Sequence, residues 1–207
     1  MLVDMEGHGR EETSAGFDCS RTVGWFTTIF PVALDTPANA TFQEILRLVK
    51  ERVRGIPHRG LGYGVLRYLS DDATRRQLEN LPHGQLLFNY LGQFDRAWPS
   101  SWLSVAREST GPLHSPQNHR PYLLEVSGGV HEGRLLMEWR YSEQLHRKQT
   151  IEHLAQQFMS ALCELNSSSE RLESSALSPT DFSAAAMSQT DLDELIARFS
   201  PPAEGRP

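Results

Sequence analysis

Glu6-Gly7-His8-Gly9-Arg10-Glu11 follows directly on a short, largely apolar run, Leu2 to Met5, and Arg21-Thr22-Val23-Gly24-Trp25-Phe26-Thr27 comes ten residues after it. A strand over Leu2–Met5 that ends in this turn exposes Glu6 at its tip. The flanking glycines let another backbone or a ligand approach. The stretch sets a carboxylate, an imidazole and a guanidinium side by side. Taken alone, it fits a charged surface turn better than a site.

With 207 residues the chain has room for one domain and a tail. Hydrophobic residues make up 39% and charged residues 22%, an ordinary globular balance. The formal net charge of −6 argues against non-specific nucleic-acid binding, which needs a basic footprint. No apolar run reaches membrane-spanning length and the start lacks a signal pattern, so no membrane partner is expected. Cys19 and Cys163 lie far apart without metal-ligand spacing, which fits free thiols in a cytoplasmic protein. The chain opens in what reads as the end of a strand, as a piece of a longer domain would.

Gly24 to Leu34 is rich in aromatic and β-branched residues and reads as a strand, with Pro31 marking an edge, a bulge or an exit. Thr41 to Arg54 is the clearest early helix. Thr41 caps it, Glu44 completes a capping box, and Ile45, Leu48, Val49 and Val53 form its apolar stripe. Gly55 and Pro57 end it. Pro57-His58-Arg59-Gly60-Leu61-Gly62-Tyr63-Gly64 reads as a loop, with a short helix over Val65–Leu69. Those glycines do not make a phosphate loop, since no strand leads into them and no lysine with a hydroxyl follows.

Asp71–Leu78 reads as a short helix, Gln85–Leu91 as a strand, Trp102–Arg107 as a further strand candidate and Gly111–Pro121 as a loop. Leu123–Val130 and Arg134–Tyr141 form an expected hairpin through His131-Glu132-Gly133. Ile151–Leu165 is an amphipathic helix. A Ser-rich linker follows over residues 167–187, then a short helix over Ser188–Phe199 in a tail of residues 188–207. Strands and helices mix without a strict βαβ repeat, so the fold class is α+β, or mixed α/β.

Phe88-Asn89-Tyr90-Leu91-Gly92-Gln93-Phe94-Asp95 places an amide inside an apolar strand. Asn89 shares a face with Leu87 and Leu91, and Tyr90 shares the other with Leu86 and Phe88. A buried amide must find partners or cost a few kcal/mol, about 1–3 in protein data. One reading gives Asn89 a neighbouring backbone partner and Tyr90 a place in the core. The other offers both to a site at a strand end.

Four stretches, Glu6–Glu11, Arg21–Thr27, Pro57–Gly64 and Phe88–Asp95, stand in an order that resembles the epimerization domain of nonribosomal peptide synthetases. That family's signatures read EGHGRE, RTVGWFT with a later proline (here Pro31), PxxGxGYG and FNYLGQFD. The resemblance covers residues 1 to 166, and the tail from Ser178 to Phe182 resembles the lead into a next module. It implies a chloramphenicol-acetyltransferase-like half-domain, a mixed sheet packed with helices, and only the C-terminal one of two halves. The HHxxxDG motif of the N-terminal half is missing: none of the eight histidines is paired or followed by the Asp-Gly spacing.

What the resemblance implies for chemistry is inversion of the α-carbon of an aminoacyl or peptidyl thioester. The substrate arrives on the 4'-phosphopantetheine of a peptidyl carrier protein, and the chain itself binds no cofactor or metal. Glu6 is then one of two acid/base groups, facing a histidine of the missing half, and Asn89 and Tyr90 join it as hydrogen-bonding or positioning groups. Arg21 and Tyr63 are candidates for lining the substrate tunnel. His8 and Arg10 take structural roles in turn and ion-pair contacts, and Trp25 and Phe26 belong to the core. The implied partners are the carrier protein, the N-terminal half of the same domain and neighbouring synthetase modules. The resemblance makes the chain an amino-acid epimerase domain that needs its other half to act. A non-catalytic half-domain that docks a carrier, and a peptide-bond-forming condensation domain, are the competing readings.

Overall fold

Asp4, Met5 and Glu6 run through the middle of the architecture, because the strand that carries them is flanked on both sides. The computed structural model describes residues 1–10, 18–93, 108–109, 111, 115, 117–172 and 188–199. Its strands are β1 (Leu2–Gly7), β2 (Thr28–Ala33), β3 (Leu86–Gln93), β4 (Leu124–His131) and β5 (Arg134–Tyr141). They form one sheet in the order β2-β1-β3-β4-β5. The central pairs β1/β3 and β3/β4 are parallel, and the outer pairs β1/β2 and β4/β5 are antiparallel. This is the mixed sheet expected of an α+β fold.

Alternation sorts the sheet into two faces. Val3, Phe30, Val32 and Val126 are buried together on one face, and the register pairs Val3 with Val32 and Met5 with Phe30. The opposite face takes Asp4 and Glu6 of β1, Leu87 and Asn89 of β3, Glu125 and Ser127 of β4, and Glu138 and Arg140 of β5. Branched aliphatic residues therefore make the core side, and charged side chains gather on the other.

The chain separates into two compact units. The first comprises residues 1–33 and 57–155, and the second residues 34–56 and 156–207. In the first, a 3-10 turn (Pro57–Gly60) leads into α2 (Leu61–Leu69), which packs on β2 and on α3 (Asp72–Glu79). In the second lie α1 (Phe42–Arg54), most of α4 (Lys148–Leu172) and α5 (Gln189–Phe199), where Leu192 is fully buried. The capping box of α1 is as read from the sequence: Glu44 N–H donates to the Thr41 hydroxyl oxygen at 3.3 Å, and Thr41 N–H donates to Glu44 Oε2 at 2.7 Å. Asp71 caps α3 with its side chain alone, which accepts from Thr74 N–H at 2.9 Å. The β4–β5 hairpin turns through Glu132 and Gly133, with φ of 49° and 68°, the left-handed pair that matches strand twist in a two-residue turn.

Several local expectations change. β1 runs on to Gly7, because Glu6 and Gly7 pair with Ile29 and Thr28. Glu6 therefore stands within a strand and not at the tip of a turn. β2 begins only at Thr28, so Trp25 lies off the sheet and is 91% exposed instead of entering the core. α2 starts at Leu61 and not at Val65, which puts Gly62 and Gly64 inside a helix. Each glycine costs such a helix roughly 1 kcal/mol against alanine, and packing of α2 on its neighbours overrides that preference. α4 continues to Leu172, past the expected linker start at residue 167. Pro31 sits inside β2, which is an edge strand, where proline is tolerated. The strand candidate over Trp102–Arg107 lies outside the described residues.

Candidate active site

Parallel pairing of β1 with β3 matches Met5 to Phe88, so the next position on each strand brings Glu6 level with Asn89. Both point to the polar face. Asn89 Nδ2 donates to Glu6 Oε2 at 2.6 Å, a short charge-assisted bond between partly buried side chains. Burial pushes the Glu6 carboxyl above its ordinary range, the negative charge of Glu125 raises it further, and the bond from Asn89 pulls the other way. Desolvation outweighs the hydrogen bond. The carboxyl therefore keeps its proton to higher pH than an ordinary glutamate does.

An amide is a suitable partner for such a group. Its NH2 donates to the carboxylate, and its carbonyl can accept from the protonated acid. Asn89 can therefore follow Glu6 through both states with a side-chain flip. Glu125, one strand beyond Asn89, forms an ion pair with Arg120 at 3.2 Å, which holds part of its charge locally.

The turn after β1 is secured by Arg10. Its guanidinium donates to the carbonyls of Cys19 (2.5 Å) and Gly24 (3.4 Å) and stacks over the Phe26 ring at 4.3 Å. Its backbone N–H donates to His8 Nδ1 at 3.0 Å. Gly9 has φ +65°, and a Cβ there would fall 1.6 Å from the Phe26 carbonyl oxygen, so only glycine fits. His8 and Arg10 thus have structural contacts, and among the described residues those of the Arg10 guanidinium are to carbonyls and a ring.

The five candidate residues do not all converge. Glu6 and Asn89 meet. Tyr90 is on the core-side face of β3 by alternation and is 53% exposed. Tyr63, on α2, accepts a hydrogen bond from Arg67 at 3.1 Å. Arg21 is exposed in the turn that follows Cys19. Two groups missed in the sequence lie near Glu6. Tyr122 donates its hydroxyl to Asp4 Oδ2 at 2.9 Å, and Glu125 acts on Glu6 by its charge. The i, i+2 spacing of Asp4 and Glu6 is a visible signal for Asp4; Tyr122 and Glu125 give none without the β3–β4 register.

The fold is a parallel-centred mixed sheet whose polar face pairs a partly buried carboxyl with an amide. The family follows from comparison with known proteins. The condensation domain model matches residues 1–188. The chain belongs to the condensation domain family. It is 40% identical over 200 residues to one of the linear gramicidin synthase proteins of Brevibacillus parabrevis, covering 96% of this chain and 3% of that protein. It is 42% identical over 197 residues to chondramide synthase of Chondromyces crocatus, covering 95% and 5%. With gramicidin S synthase 1 of Brevibacillus brevis the identity is 31% over 205 residues, covering 95% and 19%. The chain therefore spans only a small part of these relatives. Among solved structures, the epimerization domain from the third module of tyrocidine synthetase B superposes with a TM-score of 0.69 at 33% identity, over 79% of this chain and 36% of that one. The expected superfamily and the chloramphenicol-acetyltransferase-like fold class both stand. Among the described residues no helix is long and apolar enough to cross a membrane.

Proposed function

We propose that this chain is the C-terminal half of a nonribosomal peptide synthetase epimerization domain, and that Glu6 is one of its two acid/base groups. The observation that carries the reading is the Glu6–Asn89 contact, with Glu6 held above the ordinary carboxylate range on the polar face. The substrate is an aminoacyl or peptidyl thioester on the 4'-phosphopantetheine of a peptidyl carrier protein, so no cofactor binds to the chain itself. One group takes the α-proton, the electron pair of the C–H bond passes into the enolate, and a second group returns a proton to the opposite face. Donors aimed at the enolate oxygen lower that barrier most. The second group is supplied by a half-domain with an HHxxxDG motif, and Tyr90, Arg21 and Tyr63 remain tunnel or positioning candidates. Carrier protein, the other half and adjacent modules are its partners in the cytoplasm.

The test combines this chain with an HHxxxDG-bearing half and a loaded carrier, then follows L-to-D conversion and α-proton exchange in heavy water. Glu6→Gln is expected to slow exchange by about 10²- to 10⁴-fold, the range of general acid–base catalysis. An unchanged rate would remove Glu6 from the mechanism. The family match itself favours a second reading, a condensation domain. Peptide-bond formation without α-proton exchange in the same assay would select it. Carrier binding with neither reaction would select a docking half-domain.

A further inference from the structure

Asp4 and Glu6 leave β1 on the same face, two residues apart. Tyr122, just ahead of β4, donates its hydroxyl to Asp4 Oδ2 at 2.9 Å. The segment behind Tyr122 is fixed, since the backbone N–H groups of Leu123 and Leu124 both donate to the Gln85 carbonyl, at 3.0 and 3.2 Å. Asp4 Oδ1 is buried and finds no hydrogen-bond partner among the described residues. It lies against Gly84, where an added Cβ would come within 2.5 Å of that oxygen. A carboxylate with one orphaned oxygen is costly to bury, so the Tyr122 bond holds it in a place it would otherwise leave.

The phenol is not itself suited to donate a proton to substrate. Burial, then the bond to Asp4 and its charge, hold Tyr122 far above the ordinary phenol range. It stays a neutral donor committed to Asp4. What the contact does mechanically is join the beginnings of β1, β3 and β4 one pleat away from Glu6. The 2.6 Å contact between Glu6 and Asn89 depends on the β1–β3 spacing and alignment, since N–H···O bonds lie within about 2.7–3.2 Å and weaken steeply when bent below about 120°.

We propose that Tyr122 is a positioning residue for Glu6: its clamp on Asp4 sets β1 against β3 so that Glu6 meets Asn89. The catalytic consequence rests on the reading under Proposed function; the geometric one does not. The groups that act on Glu6 are Glu125 from β4 and Asn89 from β3, while Tyr122 and Asp4 adjoin it and Arg67 of α2 acts on Asp4 and Tyr122. Its β2 neighbours, Thr28 and Ile29, are uncharged. Tyr122→Phe deletes one oxygen and no formal charge, and the comparison with Asn89→Ala separates a loosened Glu6–Asn89 bond from an effect passed through the Asp4 carboxyl.

The measurement is a 13C NMR titration of the Glu6 carboxyl in this chain, with wild type, Tyr122→Phe, Asn89→Ala and the double variant. Loosening the Asn89 bond removes the one influence that lowers the Glu6 midpoint. Tyr122→Phe is therefore expected to move the midpoint upward, toward that of Asn89→Ala, and the double variant to move it no further than Asn89→Ala. Gly84→Ala, which displaces Asp4 while keeping Tyr122, is expected to give the same shift and serves if Tyr122→Phe does not fold. In the reconstituted exchange assay, kcat should fall about 10-fold or more with KM for loaded carrier unchanged. A folded Tyr122→Phe or Gly84→Ala chain with the wild-type midpoint, or shifts that add to that of Asn89→Ala, would overturn the proposal. Failure of wild type to exchange the α-proton, with the midpoint shifts intact, would sink the catalytic reading and leave the clamp standing.

Discussion

Asn89 reaches across 83 positions of sequence to donate a 2.6 Å hydrogen bond to Glu6. That bond favours the charged carboxyl, while burial and Glu125 favour the neutral one. The balance can be moved from either side.

Replacing Asn89 with alanine removes the stabilising donor. The Glu6 midpoint is expected to rise, which 13C carboxyl titration reads directly. A midpoint that falls or stays put would mean that the amide does not act on the charged form.

Glu125→Gln takes away a negative charge from the neighbouring strand, so Glu6 should ionise at lower pH. The amide oxygen still accepts from Arg120, and that pair is partly exposed, with side chains 35% and 20% accessible. Stability should therefore change by less than about 1 kcal/mol in urea unfolding. In the exchange assay the limb of the pH–rate profile that reports Glu6 should move to lower pH.

Glu6 binds its proton more tightly folded than unfolded, so the native state carries the extra proton between the two values. Its contribution to stability is intact below the unfolded value and declines as pH rises through the folded one. Glu44, Asp71, Glu138 and Asp191 are held below their ordinary ranges and give the opposite slope. The difference in melting temperature between Glu6→Gln and wild type isolates the Glu6 part. It should grow in favour of the variant as pH is raised from acid toward neutral, and a flat difference would contradict the raised pKa.

Thr41→Ala breaks the capping box of α1 and leaves an N-terminal N–H without its acceptor. The cost should be about 1 kcal/mol, or a fall of roughly 2–4 °C in Tm for a chain of this size. Chemical denaturation followed by far-UV circular dichroism checks it.

Local signals are readable in the sequence wherever neighbours along the chain set the structure. Thr41 and Glu44 fix the start of α1, and Glu132-Gly133 fixes the β4–β5 turn. Limits set by partners far along the chain are not readable. Sequence alone puts Glu6 at a strand tip because its ladder to Ile29 depends on β2. It puts Trp25 in the core because the local composition suits a strand, yet the sheet takes up the chain only at Thr28. For the site, the family resemblance supplies Glu6 and Asn89, and the parallel register explains why they touch. Tyr122 and Glu125 are invisible for the same reason: they enter through the β3–β4 pairing, which no local pattern announces. Tyr90, adjacent to Asn89 in sequence, falls on the opposite face because a strand turns successive side chains apart.

The parallel pairing of β1 with β3 also sets when Glu6 can meet Asn89. β2 can pair with β1 early, as an antiparallel neighbour. The other edge of β1 waits until residues 86–88 are made and brought alongside. Until then Glu6 is a glutamate without its amide partner, and one side of β1 is an open edge that another chain could occupy. Non-local pairing of this kind is slow to form. The Glu6–Asn89 contact thus arrives only with completion of the sheet, and a chain stalled before that step would be prone to associate at β1.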